Sequence, residues 1–166
     1  MMTIRPGTAN DAGTILALVR ELATYEREPF AVTATEADFV AHGFGERPAF
    51  RTLIAEEAGQ TAGFALYFFG FSTWTGSPVL YLEDLFVRPA HRKHGAGLAL
   101  MRALAREALA TGCKRFVWQV LDWNVPAIQF YESLGANVLR EWLTVRMDGA
   151  ALERLASEGD AQQGMG

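Results

Sequence analysis

The chain has 166 residues, half of them hydrophobic, with 15 basic against 19 acidic side chains and a net charge of −4. That length and apolar content suffice for one α/β domain with a substantial core, and the acidic balance argues against a nucleic-acid surface while suiting a small cationic partner. A single cysteine, Cys113, excludes an internal disulfide and a cysteine metal cluster, and no apolar run is long enough to span a membrane.

The opening Met1-Met2-Thr3-Ile4-Arg5 lacks the features of a secretory leader, so a cytoplasmic setting is the default expectation. Thr3-Ile4-Arg5 begins a short edge strand, and Asn10 is placed to cap a helix whose Ile15, Leu18, Val19 and Leu22 share one face. Thr33 and Glu36 match a capping box ahead of Phe39, Val40 and Phe44, which marks a second helix. Residues 51–56 and 62–69 read as strands around Ala58-Gly59-Gln60, a hairpin. Residues 79–87, rich in β-branched and aromatic side chains, form another strand that ends at Arg88-Pro89. Leu98, Met101, Leu104, Ala105 and Ala108 then recur at helical spacing until Gly112 stops the run, with Cys113 packed near its end. Residues 115–121 read as a strand, followed by a helix with Asn124 as N-cap, Pro126 in the first turn and Gly135 at the C-cap. Residues 143–147 make a final strand and 150–156 a short helix. There is neither a repeat nor a linker, so one domain over 1–156 is expected, with a frayed polar tail over 157–166. Antiparallel strands followed by strand–helix–strand–helix–strand predict a mixed α/β sheet flanked by helices.

The most telling stretch is Arg92-Lys93-His94-Gly95-Ala96-Gly97, between a strand and the long helix. Such a junction is an anion cradle. Free N–H groups at the helix start face the ligand, the helix dipole favours negative charge, and missing side chains let phosphate approach the backbone. It is not a Walker loop, because Leu98-Ala99 follows Gly97 where Lys-Ser/Thr is required, and it lacks the third glycine of a dinucleotide fingerprint. His42, His91 and His94 are too dispersed along the chain to suggest a metal site, so no metal is expected.

The order Arg-x-x-Gly-x-Gly over 92–97 resembles the pyrophosphate-binding motif of the GNAT superfamily of acetyl-CoA-dependent N-acetyltransferases. Asn-x-x-Ala-x-x-Phe-Tyr-x-x-x-Gly-Ala, starting at Asn124, resembles the second cofactor-contacting helix of the same superfamily. Within it, Glu21-Leu22-Ala23-Thr24-Tyr25-Glu26, Tyr81-Leu82-Glu83-Asp84-Leu85-Phe86-Val87 and Asp122-Trp123-Asn124 are similar to the diamine (spermidine/spermine) acetyltransferases and their thialysine relatives. Phe71-Ser72-Thr73-Trp74-Thr75-Gly76 favours the thialysine branch, since Ser72-Thr73 lacks the carboxylate of the polyamine acetylators' Asp-Pro-Trp. The resemblance runs from residue 3 to about residue 156. Lys93 departs from it, standing where the family usually has glycine, and is expected to alter the cradle's shape or charge rather than abolish binding.

This resemblance implies a GNAT fold, in which two central parallel strands splay apart and the cofactor's pantetheine arm lies in the gap. Backbone groups of Leu85, Phe86 and Val87 would bond the arm as a neighbouring strand would. Arg92, Lys93, His94, Gly95, Ala96, Gly97 and Leu98 would hold the diphosphate, and Asn124, Ala127, Phe130 and Tyr131 would contact the cofactor from the second helix. Glu83 is the candidate base, acting through water, and Tyr131 the group that stabilises the departing thiolate. Strand alternation turns Asp84 to the opposite face unless a bulge intervenes. A structural role for the carboxylate pair is the competing reading. Tyr25, Glu26 and Trp74, with Glu83 and Asp84, are candidates for the amine pocket, since aromatic faces and carboxylates suit an aminoalkyl cation. Against this, Tyr25 reads equally as core, Glu26 as a solvated charge and Trp74 as a loop anchor.

The expected reaction is acetyl transfer from acetyl-CoA to a primary amine of a thialysine- or lysine-like amino acid or short diamine, by direct attack in a ternary complex. Acetylation of a protein or peptide amine, and an idle acyl-CoA-binding module, are the alternatives. The relatives also imply a homodimer, for which the aromatic loop expected at Phe68, Phe69, Phe71 and Trp74 is a suitable surface.

Overall fold

The computed structural model describes residues 1–158, so most of the tail expected over 157–166 lies outside the described residues. Two compact units emerge, one over Met1–Leu121 and one from Asp122 onward.

The first unit is built on a five-stranded sheet: β1 (Met2–Pro6), β2 (Arg51–Glu57), β3 (Gln60–Ser72), β4 (Ser77–Val87) and β5 (Arg115–Trp118), in that spatial order. The first four pair antiparallel and β4–β5 is parallel, which gives the mixed sheet that the resemblance implies. Ala58 and Gly59 both have left-handed φ values, 50° and 76°, so the two-residue β2–β3 connection matches the twist of its strands. β3 extends to Ser72, so Phe68, Phe69 and Phe71 are strand residues and only 73–76 turn.

Helix α1 (Ala12–Tyr25) covers one face of the sheet. Its Ile15, Leu18 and Leu22 meet Ile54, Phe64, Leu66 and Phe86 in a buried cluster, against which Phe39 and Phe44 also pack. The opposite face carries α3 (Ala96–Ala110), with Leu100, Met101, Leu104 and Ala108 buried. Arg51 marks that face, bonding Glu107 of α3 at 2.7 Å. Phe64, Leu80, Leu100 and Leu104 have no exposed surface; truncating any one of them to alanine costs about 2–5 kcal/mol.

The helix starts differ from expectation. Asn10 is not a cap: it lies inside a 3₁₀ turn (Ala9–Asp11), where Asp11 takes hydrogen bonds from the Thr8 amide at 2.7 Å and from Arg5 at 2.9 Å. The capping box of α2 (Glu36–Gly43) is Thr35 with Asp38, two residues beyond the Thr33–Glu36 match. Aspartate at the third position serves as well as glutamate, and the glutamate template drew the expectation too early.

In the second unit, α4 (Val125–Ser133) starts at Asn124, whose side chain accepts from the Ala127 amide at 3.4 Å. It ends as expected at Gly135, φ 91°, where Gly135 N–H bonds Glu132 O and Ala136 N–H bonds Tyr131 O, a Schellman closure. Helix α5 (Gly149–Ser157) follows. Two strand expectations fail. Residues 119–121 do not continue β5, and 143–147 is not a strand. Leu143 and Val145 are 84% and 93% exposed, so this β-prone segment finds no partner strand among the described residues. No helix among them is long and apolar enough to cross a membrane.

Candidate active site

β4 positions most of the site, and its two edges behave differently. On the β3 side it is paired along its whole length except at Glu83, with Gly63 allowing close approach to the Phe86–Val87 backbone, where any Cβ would collide with Phe86 O. On the β5 side, pairing runs only from Val79↔Arg115 to Leu82↔Trp118. From Glu83 to Val87 the edge facing β5 has no ladder. The backbone groups of Leu85 and the amide of Val87 therefore offer a strand's donors and acceptor to an extended ligand.

A bulge falls at this seam. Tyr67 pairs with Leu82 but Leu66 pairs with Asp84, leaving Glu83 as the extra residue. The strand's alternation is thereby reversed. Asp84 joins the face of Leu66, Phe64 and Phe86, while Glu83 is exposed. Burial, aided by the negative charges of Glu83 and Glu26, pushes the Asp84 carboxyl up to about 6. Glu83 is the expected base; the perturbed carboxyl lies next to it, and Glu26 at the end of α1 is near enough for its charge to act on Asp84.

Beyond Val87 the chain makes a 3₁₀ turn (Pro89–His91) and enters the loop before α3. Lys93 is left-handed at φ 66°, as is Gly95 at φ 87°. This accounts for the glycine expected at position 93, since a left-handed Cβ costs about 1–2 kcal/mol. Gly95 is the N-cap of α3 and no side chain caps it, unlike α2 and α4. The first helical bond is Ala99 N–H to Gly95 O. The amides of Ala96, Gly97 and Leu98 precede the ladder and have no carbonyl one turn back. Space over Gly95 is open to beyond 4 Å from where a Cβ would lie. An uncapped, unobstructed helix start beside an unpaired strand edge fits an anionic diphosphate with an extended arm.

Other candidates are distributed unevenly. Arg92 folds back: its Nε donates to Val87 O at 2.9 Å, and its guanidinium lies 5.1 Å from the Tyr25 ring centre and 5.6 Å from that of Phe86. It thus ties Tyr25 to the end of β4. Trp74 is 77% exposed and packs on Arg115 at the opposite end of β4, roughly 20 Å from Asp84 by the rise of the strand. Phe130 and Tyr131 form an aromatic pair on α4, with ring centres 5.5 Å apart, in the second unit.

One grouping escaped the sequence reading. The dispersal expected of the histidines holds for His42, but His91 and His94 converge on Glu57 at the end of β2. His91 Nδ1 is 2.7 Å from Glu57 Oε2, and His94 Nδ1 is 3.1 Å from both carboxylate oxygens. These bonds hold the Glu57 carboxyl below its ordinary range. The only signal in the sequence was the spacing His91-x-x-His94, and Glu57 lies too far upstream to be associated with it.

Residues 15–136 match the model of the Acetyltransferase (GNAT) family. The thialysine N-epsilon-acetyltransferase of Mus musculus is 40% identical over 164 residues, covering 92% of this chain and 96% of that one. The L-ornithine N5-acetyltransferase of Arabidopsis thaliana is 42% identical over 94 residues, 57% of this chain and 41% of its own length. Among solved structures, an integron cassette protein from the mobile metagenome of V. cholerae superposes with a TM-score of 0.78 at 31% identity, covering 93% of this chain and 97% of that one.

Proposed function

The chain belongs to the acetyltransferase (GNAT) family and is an N-acetyltransferase, and from that premise we propose that it moves acetyl from acetyl-CoA to the side-chain amine of a small lysine-like amino acid, within a ternary complex. The observation that carries the proposal is the carboxylate group Glu26–Glu83–Asp84, set at the point where β4 leaves β5. Negative charge there suits an aminoalkyl cation, and the names of the mouse and Arabidopsis relatives point to side-chain amines of amino acids.

Acetyl-CoA supplies the activated acyl thioester. The residues present fit it: the amides of Ala96, Gly97 and Leu98 would hold the diphosphate, and the free edge over Leu85 to Val87 would align the arm. Glu26 and Glu83 would bind and orient the ammonium group. An alkyl ammonium with a pKa near 10.4 must lose a proton before attack, at a cost of about 4–5 kcal/mol at pH 7. That first proton goes to solvent; as the nitrogen bonds to carbon its two remaining protons become far more acidic, so a carboxylate of raised pKa can take one of them, directly or through water. Asp84 meets that requirement better than an ordinary aspartate, with a carboxyl raised to about 6. Tyr131 is proposed to donate a hydrogen bond to the departing sulfur. Full proton transfer from a phenol (pKa about 10) to a thiolate (about 8.5) is uphill by roughly 2 kcal/mol, so stabilisation is the safer role.

The test is release of free CoA from acetyl-CoA across thialysine, lysine, ornithine, putrescine, spermidine and a lysine-containing peptide. The proposal expects turnover with the amino acids and little with spermidine. Turnover with the peptide alone would substitute a protein acetyltransferase, and no turnover would leave an acyl-CoA-binding module.

A homodimer is part of the same proposal. Phe71 and Trp74 are 69% and 77% exposed, as are most of the apolar side chains of 142–147, and a second copy would cover them. Light scattering should give twice the chain mass; a monomer at working concentration rejects it. The proposed setting remains the cytoplasm.

A further inference from the structure

We propose that Glu57, His91 and His94 form a binding site for a divalent transition cation, with zinc as the probe. Three separate pieces of backbone deliver these ligands: the last residue of β2, the last of the 3₁₀ turn, and the residue before the N-cap of α3. One ligand atom from each lies within 4.8 Å of the others. Two imidazoles and a carboxylate are the donor set of open zinc sites, in which a fourth position is left to water or another ligand. Tetrahedral bonds of about 2.0–2.1 Å place ligand atoms roughly 3.3 Å apart. The present 2.7 and 3.1 Å separations from Glu57 therefore need to open by roughly 0.6 and 0.2 Å, while the two imidazole nitrogens, within 4.8 Å of each other, settle to the same spacing around the ion. Both Nδ1 atoms already face the carboxylate, and moving each ring's proton to Nε2 presents both lone pairs inward. His91 and Glu57 have side chains only 16% and 26% exposed, while His94, at 52%, is free to close onto an ion.

Such an ion would pin the end of β2 to the loop that carries left-handed Lys93 and Gly95. The cradle would then be held in one conformation before any anion arrives. That consequence rests on the acetyl-CoA reading; the binding of the cation does not.

The experiment is calorimetry of zinc into tag-free, chelator-treated full chain without CoA. His42, the third histidine, is the internal control. One ion per chain is expected, with affinity reduced at least about tenfold in His91→Ala, His94→Ala and Glu57→Gln and unchanged in His42→Ala. Far-ultraviolet circular dichroism checks that each variant is folded. As a readout on the unaltered protein, paramagnetic Co²⁺ should broaden the imidazole proton resonances of His91 and His94 while sparing those of His42. Absence of binding tighter than about 100 µM overturns the proposal. So does binding that survives His91→Ala and His94→Ala together, or broadening shared equally with His42, either of which marks an adventitious ion only. Failure of acetyl transfer in the amine panel would not touch these outcomes.

Discussion

The two halves of β4 belong to one strand and have opposite surroundings. From Val79 to Leu82 the strand is bonded on both edges, to β3 and to β5; from Glu83 to Val87 it keeps β3 and loses β5. The first half spends its backbone on the sheet, and its side chains Leu80 and Leu82 are buried. The second leaves backbone groups open on one edge and, through the bulge at Glu83, turns an aspartate toward apolar neighbours. On the proposed reading, stability and function are separated along one strand, at a single residue.

Substitutions in each half should have opposite signatures. The largest effect is expected in the paired half. Leu80→Ala should lower unfolding free energy by about 3 kcal/mol in urea titration, from lost burial and a residual cavity. Turnover per folded molecule should hardly change.

Asp84→Asn should do the reverse. A carboxyl raised in the folded state to about 6, against 3.8 normally, weakens the fold increasingly as pH rises through that interval, and not at all below it. The variant should therefore be more stable than the parent by about 3 kcal/mol at pH 7, with the gap closing near pH 4. Its kcat/KM should fall by about 100-fold or more if Asp84 is the proton acceptor. In the parent, kcat/KM should rise with pH through a midpoint near 6, and this limb should vanish in the variant. If Glu83→Gln abolishes the limb and Asp84→Asn leaves it, the base is Glu83 instead.

Tyr131→Phe asks whether a hydroxyl of the second unit serves the open half at all. Turnover should drop roughly tenfold, with acetyl-CoA affinity nearly intact; an unchanged kcat removes Tyr131 from the mechanism. The smallest effect is expected at Lys93→Gly. Relief of a left-handed lysine is offset by the added freedom of the unfolded chain, so the melting midpoint should move by the equivalent of about 1 kcal/mol or less. A loss well beyond that would mean the lysine side chain itself holds the loop.

What was legible in the sequence follows the range of the interactions. Hairpin and helix ends written in adjacent residues, such as Ala58-Gly59 and the Asn124 and Gly135 caps, were readable. So was the contiguous strand–loop–helix junction from β4 to α3. The bulge was not: it depends on how β4 registers against β3, and nothing in residues 82–84 alone announces it. The faces that Glu83 and Asp84 take were lost with it. Residues 143–147 have strand composition but no partner strand, and composition does not say whether a partner exists. Glu57 could not be joined to His91 and His94 without the fold, because β2 and the loop before α3 are brought together only by the sheet.

The central claim is that the unladdered edge of β4 and the uncapped start of α3 together hold acetyl-CoA. Amide chemical shifts of the ¹⁵N-labelled chain, followed during titration with acetyl-CoA, test it directly. The account predicts the largest, saturable changes at Leu85, Val87, Ala96, Gly97 and Leu98, with Leu80 and Leu82 little affected. Saturable changes that leave Leu85 to Val87 and Ala96 to Leu98 unmoved would contradict it.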